Sequence, residues 1–190
     1  MVFLSIAVAL FCIIHLIPAL PTLKENLRNW AGKAYGPGFG IAATLSLILI
    51  FVAWSFGQTE PVYEPLKEGK HLNLFFSFIG FQFLGMFFFR GKARQIVRYP
   101  FAIAILFWGV GHLLANGDLA SLIVFGGLIA YALVFIALSL VNKVFPSLEV
   151  RDGHDVLALI FGLAAYIAMV QLHEILIGVP VLTIQEFFPS

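Results

Sequence analysis

Charge is scarce in this chain. Only 11% of its 190 residues are Asp, Glu, Lys or Arg, whereas 61% are hydrophobic. Soluble domains average about 25% charged and 45–50% apolar residues. A globule with so little polar material has nothing with which to face water, so its solvent is lipid. Cysteine is nearly absent: Cys12 stands alone. That excludes an internal disulfide and a cysteine-rich metal site. Net charge is nearly absent too, at +1, which argues against nucleic acid as a partner. There are no internal repeats, no low-complexity tracts and no polar stretch long enough for a separate soluble domain. A basic run before the first apolar segment is also missing, and Pro18-Ala19-Leu20-Pro21 makes a poor cleavage site, so residues 2–20 are expected to stay as a first helix.

What is present is apolar length. A helix needs about 20 apolar residues to cross a bilayer. Six segments approach this: roughly 2–20, 38–57, 72–90, 100–116, 119–141 and 156–178. The fourth is short and ends at Asn116-Gly117-Asp118, a turn signal that folds spans four and five into a hairpin. Between spans one and two, Leu23, Leu27 and Trp30 recur at helical spacing with Lys24, Arg28 and Lys33 interleaved. Thr22–Tyr35 therefore reads as an amphipathic helix lying at the interface, broken by Gly36-Pro37-Gly38. The expected class is all-α: one polytopic transmembrane bundle of about six spans over residues 1–190, with one interfacial helix. Nine of the 11 Lys and Arg fall after spans one, three and five: Lys24, Arg28, Lys33, Arg90, Lys92, Arg94, Arg98, Lys143 and Arg151. The positive-inside rule then puts these loops in the cytoplasm and both termini on the other side.

Three histidines interrupt the spans: His15, His112 and His173. An imidazole at membrane depth is costly unless hydrogen-bonded, watered or metal-bound. His112 follows Trp108-Gly109-Val110-Gly111, and small residues let a helix or a flat ligand approach the backbone closely. His112 can therefore be read as a histidine hydrogen-bonded between helices, or as an axial haem ligand with the glycines clearing space for the porphyrin. His15 lies three residues before Pro18, which leaves the Ile14 carbonyl without its helical partner. It either repairs that defect or supplies a second ligand. Cys12, one turn away, reads as a small hydrophobe or a thiolate ligand. His173, in Gln171-Leu172-His173-Glu174, is near the end of span six, where polar groups reach water. His71 and His154 read as solvated loop residues. Arg94 and Arg98 read as positive-inside anchors or as partners of a propionate or phosphate. Asn116 and Asp118 read as turn formers, with Asp118 also a conceivable second partner for a ligand histidine.

Depth constrains a shared iron. At 1.5 Å per residue, His15 lies about 20 Å from the outer end of span one and His112 about 19 Å from the inner end of span four. In a core about 30 Å thick the two differ in height by about 10 Å, and His112 and His173 by a comparable amount.

The segment Gly111-His112-Leu113-Leu114-Ala115-Asn116-Gly117-Asp118 resembles the His-Leu-Leu-Ala-Asn-Gly-Asp signature of the NnrU family. So do the opening His15-Leu16-Ile17-Pro18 and the ending His173…Gly178-Val179-Pro180. NnrU proteins are bacterial inner-membrane proteins encoded with nitrite and nitric oxide reduction genes. The family is similar to 15-cis-zeta-carotene isomerase, which uses haem b for a redox-dependent double-bond isomerisation. The resemblance implies haem b as cofactor, with His15 and His112 as iron ligands and His173 as a further cofactor-binding residue. It also implies membrane lipids and a hydrophobic small molecule as partners. The isomerase has a cysteine where this chain has Gly109, so no Cys/His exchange of ligands is available here. The family usually reads Arg-His-Pro where this chain has Arg98-Tyr99-Pro100, and a tyrosine is no substitute for a histidine as nitrogen ligand or proton shuttle near neutral pH. The alternative expectation is a cofactor-free lipid-binding or assembly protein whose basic loops hold anionic lipid. A transporter is disfavoured, because no inverted repeat or broken-helix pair is visible.

Overall fold

A computed structural model describes residues 1–57, 60–145 and 149–181. The chain forms α1 (Val2–Leu16), α2 (Pro21–Ala31), α3 (Tyr35–Ser55), α4 (Gly69–Phe88), α5 (Lys92–Ile96), α6 (Pro100–Ala115), α7 (Leu119–Ser121), α8 (Gly127–Val141) and α9 (His154–Ile177). Among the described residues, five helical stretches are long and apolar enough to cross a membrane, and α6, at 16 residues, is a shorter apolar helix. The expected segments thus appear within a few residues of their expected ends.

Two local readings change. The break between α2 and α3 falls at Gly32, whose φ of +56° an L side chain resists. Gly36-Pro37-Gly38 lies inside the first turn of α3, where proline's missing N–H costs nothing. Segment 119–141 is not one uniform α-helix either: Leu122–Gly126 is a π-turn between α7 and α8. Such turns are rare and are frequent at functional sites.

α4 organises one half of the bundle, because it packs on α6 and on α9. Both contacts are backbone-close. A Cβ on Gly69 would run into the Leu114 carbonyl, and one on Gly80 would sit 3.0 Å from the Ala104 carbonyl oxygen. On the other flank, a Cβ on Gly85 would overlap Ala158, and one on Gly162 would come 2.7 Å from the Phe81 carbonyl. Lipid offers no hydrophobic drive for helices to associate, so dispersion at such small-residue seams does much of the work. In the other half, Leu4, Ala7, Val8 and Phe11 of α1 pack with α3 and α8 around Tyr131 and Ala132.

The loops gather by charge. Asn142 donates to the Ala19 carbonyl, Tyr99 Oη to Val144 O, and Arg151 N–H to Arg90 O. These ties place the loops that carry Arg90–Arg98, Lys143 and Arg151 beside the end of α1, at one basic end of the bundle. Asp155, in the first turn of α9, accepts from the Lys92 and Ala93 N–H groups at 2.9 and 3.0 Å, while the His154 ring accepts from Arg90 N–H. His154 is therefore part of a clasp between α9 and α5 rather than a solvated loop residue. His71 stands exposed on the first turn of α4, 3.5 Å from Glu68.

Candidate functional site

All three histidines use Nδ1 in the same way. His15 bonds the Phe11 carbonyl at 2.8 Å, His112 the Trp108 carbonyl at 2.8 Å, and His173 the Val179 carbonyl at 2.6 Å. A carbonyl can only accept, so each Nδ1 carries the proton and each Nε2 keeps its lone pair. Metal-ligating histidines are commonly held in this tautomer by such a bond. The third bond explains the ending of the family signature. Gly178, at φ +84°, ends α9 in the left-handed region and turns the chain so that Val179 O folds back onto His173. His15 does not repair the Pro18 defect, because Ile17 N–H already bonds Ile14 O.

His15 lies near the basic end. Its ring stacks on Phe11 with centroids 3.8 Å apart, and Phe39, Phe101 and Tyr131 surround it at 6.1–6.4 Å. His112 is 8% exposed. It stacks on Phe125 of the π-turn at 4.2 Å and meets Trp108 edge-on at 5.0 Å. The structure does not bring these two together. Phe101, beside His15, opens α6, and His112 lies eleven residues further on, about 16 Å along the axis. One iron needs both Nε2 atoms within a few ångströms of it, so His15 and His112 do not fit as a pair on a single haem.

His112 and His173, by contrast, come close in height. Gly111 faces Asn73 of α4, and Phe78 of α4 meets Tyr166 of α9 with ring centroids 5.6 Å apart. α4 runs antiparallel to both neighbours, so seven residues back from Phe78 and seven on from Tyr166 pair His71 with His173. That level is about 3 Å from that of Asn73. His112 and His173 therefore stand at about the same level, on the two helices that flank α4. The 10 Å mismatch expected for this pair assumed that spans four and six start in one plane. Tyr99, at the start of α6, is instead 9% exposed, so α6 begins within the bundle while α9 reaches out to the α5 clasp.

The glycines beside His112 do not clear a slot. A Cβ on Gly111 would lie 2.7 Å from Asn73 Oδ1 and 2.9 Å from Phe76 Cβ, and one on Gly109 would lie 2.8 Å from Ile129 Cγ1. α4 and α8 already fill the space that a porphyrin was expected to take. Cys12 is no ligand candidate in this arrangement, since its thiol is directed at Gly127 O, 3.8 Å away.

The Asn116-Gly117-Asp118 turn is a latch. Tyr63 Oη reaches the carbonyls of Leu113 and Asn116 (2.7 Å for the latter), which α6 leaves without helical partners. Val62 and Tyr63 N–H donate to Gly117 O, and a Cβ on Gly117 would strike the Tyr63 carbonyl. Asp118 accepts from Ser121 N–H at 2.9 Å and Ser121 Oγ at 2.6 Å, so it caps α7 and is not a partner of His112. Burial and the Asp118 carboxylate push the Tyr63 hydroxyl above its ordinary pKa. The sequence reading missed Tyr63, Asn73 and Gln82. Asn73 accepts from Ser77 Oγ at 3.0 Å, and Gln82 Nε2 is buried without a partner among the described residues. A polar side chain inside span three was the available signal for the last two. Among the described residues no three His, Cys, Asp or Glu form a metal cluster.

Membrane-length apolar helices, polar groups confined to a few levels and loops sorted by charge define an integral membrane protein built as a helical bundle. Residues 3–181 match the family described as NnrU protein, and the chain belongs to that family. No curated protein and no solved structure matches the chain.

Proposed function

We propose that this protein is a bacterial inner-membrane haem b protein, oriented with its basic end in the cytoplasm and both termini in the periplasm. Its chemistry is either redox-linked isomerisation of a hydrophobic substrate or a step in denitrification-linked nitric oxide or nitrite metabolism. The reading is supported by the shared height of His112 and His173 in the bundle, with both Nδ1 atoms tied to carbonyls and both Nε2 atoms left to bind. These two residues would hold the group, and His15 would not share its iron. A bound haem b supplies a one-electron couple whose potential is tuned by its ligands and burial. Around it, the chain's part is to fix the His112 ring between Phe125 and Trp108 and to exclude water through the α4 and α8 seams.

The test is the absorption spectrum of protein purified in detergent after haem-replete expression. A Soret band is expected. His112→Ala and His173→Ala should each shift or abolish it, and His15→Ala should leave it in place. A colourless wild type sinks the proposal. Loss of the band in His15→Ala restores the pair implied by the family resemblance. The filled glycine seams favour a second reading, a cofactor-free lipid-binding or assembly protein, for which colourless protein carrying lipid is the expected result.

A further inference from the structure

Two hollows lie along α3 on the side of α1 and α2. The first is a notch of about 310 Å³ at the basic end, lined by Lys24, Arg28, Gly32, Lys33, Tyr35 and Gly36. None of its three cations makes an ion pair among the described residues. The second is an apolar groove of about 460 Å³ between α1 and α3, lined by Leu10 and Ile14 on one wall and by Ala42, Leu45, Leu49 and Val52 on the other. Tyr35, Ala42 and Leu49 recur every seven residues, so notch and groove share one stripe of α3. The Tyr35 ring stacks against Phe39 at 6.2 Å, which continues the apolar wall between them. The α2 helix, which carries two of the cations, has no buried residue, and Trp30 is 86% exposed. It therefore lies outside the bundle, where lipid headgroups are.

We propose that notch and groove together seat one anionic glycerophospholipid, with its phosphate on Lys24, Arg28 and Lys33 and an acyl chain between α1 and α3. Charge complementarity selects the headgroup. Lys24 and Arg28 are one turn apart on α2, and the reversal at Gly32 brings Lys33 to the same notch. The groove's lining is apolar apart from Ser46, whose hydroxyl already bonds the Ala43 carbonyl. A chain is therefore the only part of a lipid that it suits. This inference is independent of haem, because neither hollow is lined by His112 or His173.

Native mass spectrometry of the full-length protein in detergent, with added phosphatidylglycerol or phosphatidylcholine, tests it. One phosphatidylglycerol should bind in preference to phosphatidylcholine. The triple variant Lys24→Gln, Arg28→Gln, Lys33→Gln should lower that binding by roughly a hundredfold. Ala42→Phe, which fills the groove and leaves the charges intact, should weaken it as well, with the helical circular dichroism unchanged. Equal binding of the two lipids overturns the proposal, as does undiminished binding by the triple variant. Loss in the triple variant with none in Ala42→Phe also overturns it, because the cations would then only attract a charged surface. A colourless protein that still selects phosphatidylglycerol removes the haem reading and leaves this one standing.

Discussion

Gly111→Ala separates two meanings of the glycines before His112. If they keep a slot open for a flat ligand, a methyl there leaves the ligand-free protein untouched. If they are a seam between helices, the ligand-free protein loses stability. The geometry gives the size of the effect. The new Cβ would lie 2.9 Å from Phe76 Cβ and 3.2 Å from Asn73 Cα, where ordinary contact begins at 3.4 Å, so α4 must retreat by about half an ångström. Asn73 Oδ1, at 2.7 Å, must swing away, which breaks its bond with Ser77. Overpacking of this kind costs about 1–3 kcal/mol, and the lost bond about 0.6 kcal/mol. Replacing glycine by alanine in a helix returns up to about 1 kcal/mol. The net loss is then roughly 0.6–2.6 kcal/mol. Gly109→Ala makes a useful comparison, because its new Cβ meets the Ile129 side chain at 2.8 Å and one backbone atom, Phe125 O, only at 3.3 Å, and no hydrogen bond is broken. It should cost less than Gly111→Ala. Unfolding of haem-free protein by dodecyl sulfate in mixed micelles, followed by circular dichroism, measures both. If Gly111→Ala is as stable as the wild type, or less damaging than Gly109→Ala, the seam reading is wrong.

The other predictions concern the two ends of the bundle and the α9 seam. Gly85→Ala should be more damaging than Gly80→Ala in the same assay, because the Ala158 backbone cannot move aside without displacing α9, whereas Gly80 has 3.0 Å to the nearest carbonyl oxygen. Asp155→Ala removes two bonds to the start of α5 and should cost at least about 1 kcal/mol, with faster proteolysis of the Arg90–Arg98 loop as a second readout. Tyr63→Phe should loosen the latch by about 1 kcal/mol and raise hydrogen exchange at Val62 and Leu119. The raised Tyr63 pKa means that the folded state favours the protonated hydroxyl. That contribution is complete below the unfolded tyrosine value of about 10 and fades as pH climbs through the folded one. An alkaline unfolding profile that Tyr63→Phe leaves unchanged would refute the latch's pH dependence.

Much of the scaffold could be read from residues alone, because length and apolarity are local properties. Segment 100–116 became α6 almost residue for residue, since Pro100 and Asn116 punctuate it. The break before α3 was misplaced because Gly36-Pro37-Gly38 reads as a breaker anywhere except in a first helical turn, which is where it lies. The π-turn at Leu122–Gly126 has no composition signal, as a register change depends on what packs against the backbone. The site was legible only as a list. His15, His112 and His173 stood out because an imidazole in lipid needs a partner, but which of them meet depends on relative helix heights.

By itself the sequence determined that the chain lives in lipid, where its apolar spans lie to within a few residues, which loops share a charge, and which three histidines need satisfying. Each of these follows from transfer energies and from backbone rules that act within a few residues. Only the tertiary structure decided that α4, with Gly69, Gly80 and Gly85, sets the heights of α6 and α9. That common ruler separates His15 from His112, sets His112 level with His173, and turns the glycines before His112 from an empty slot into a filled seam. Contacts between helices distant in sequence fix those heights, and no periodicity within one helix records them.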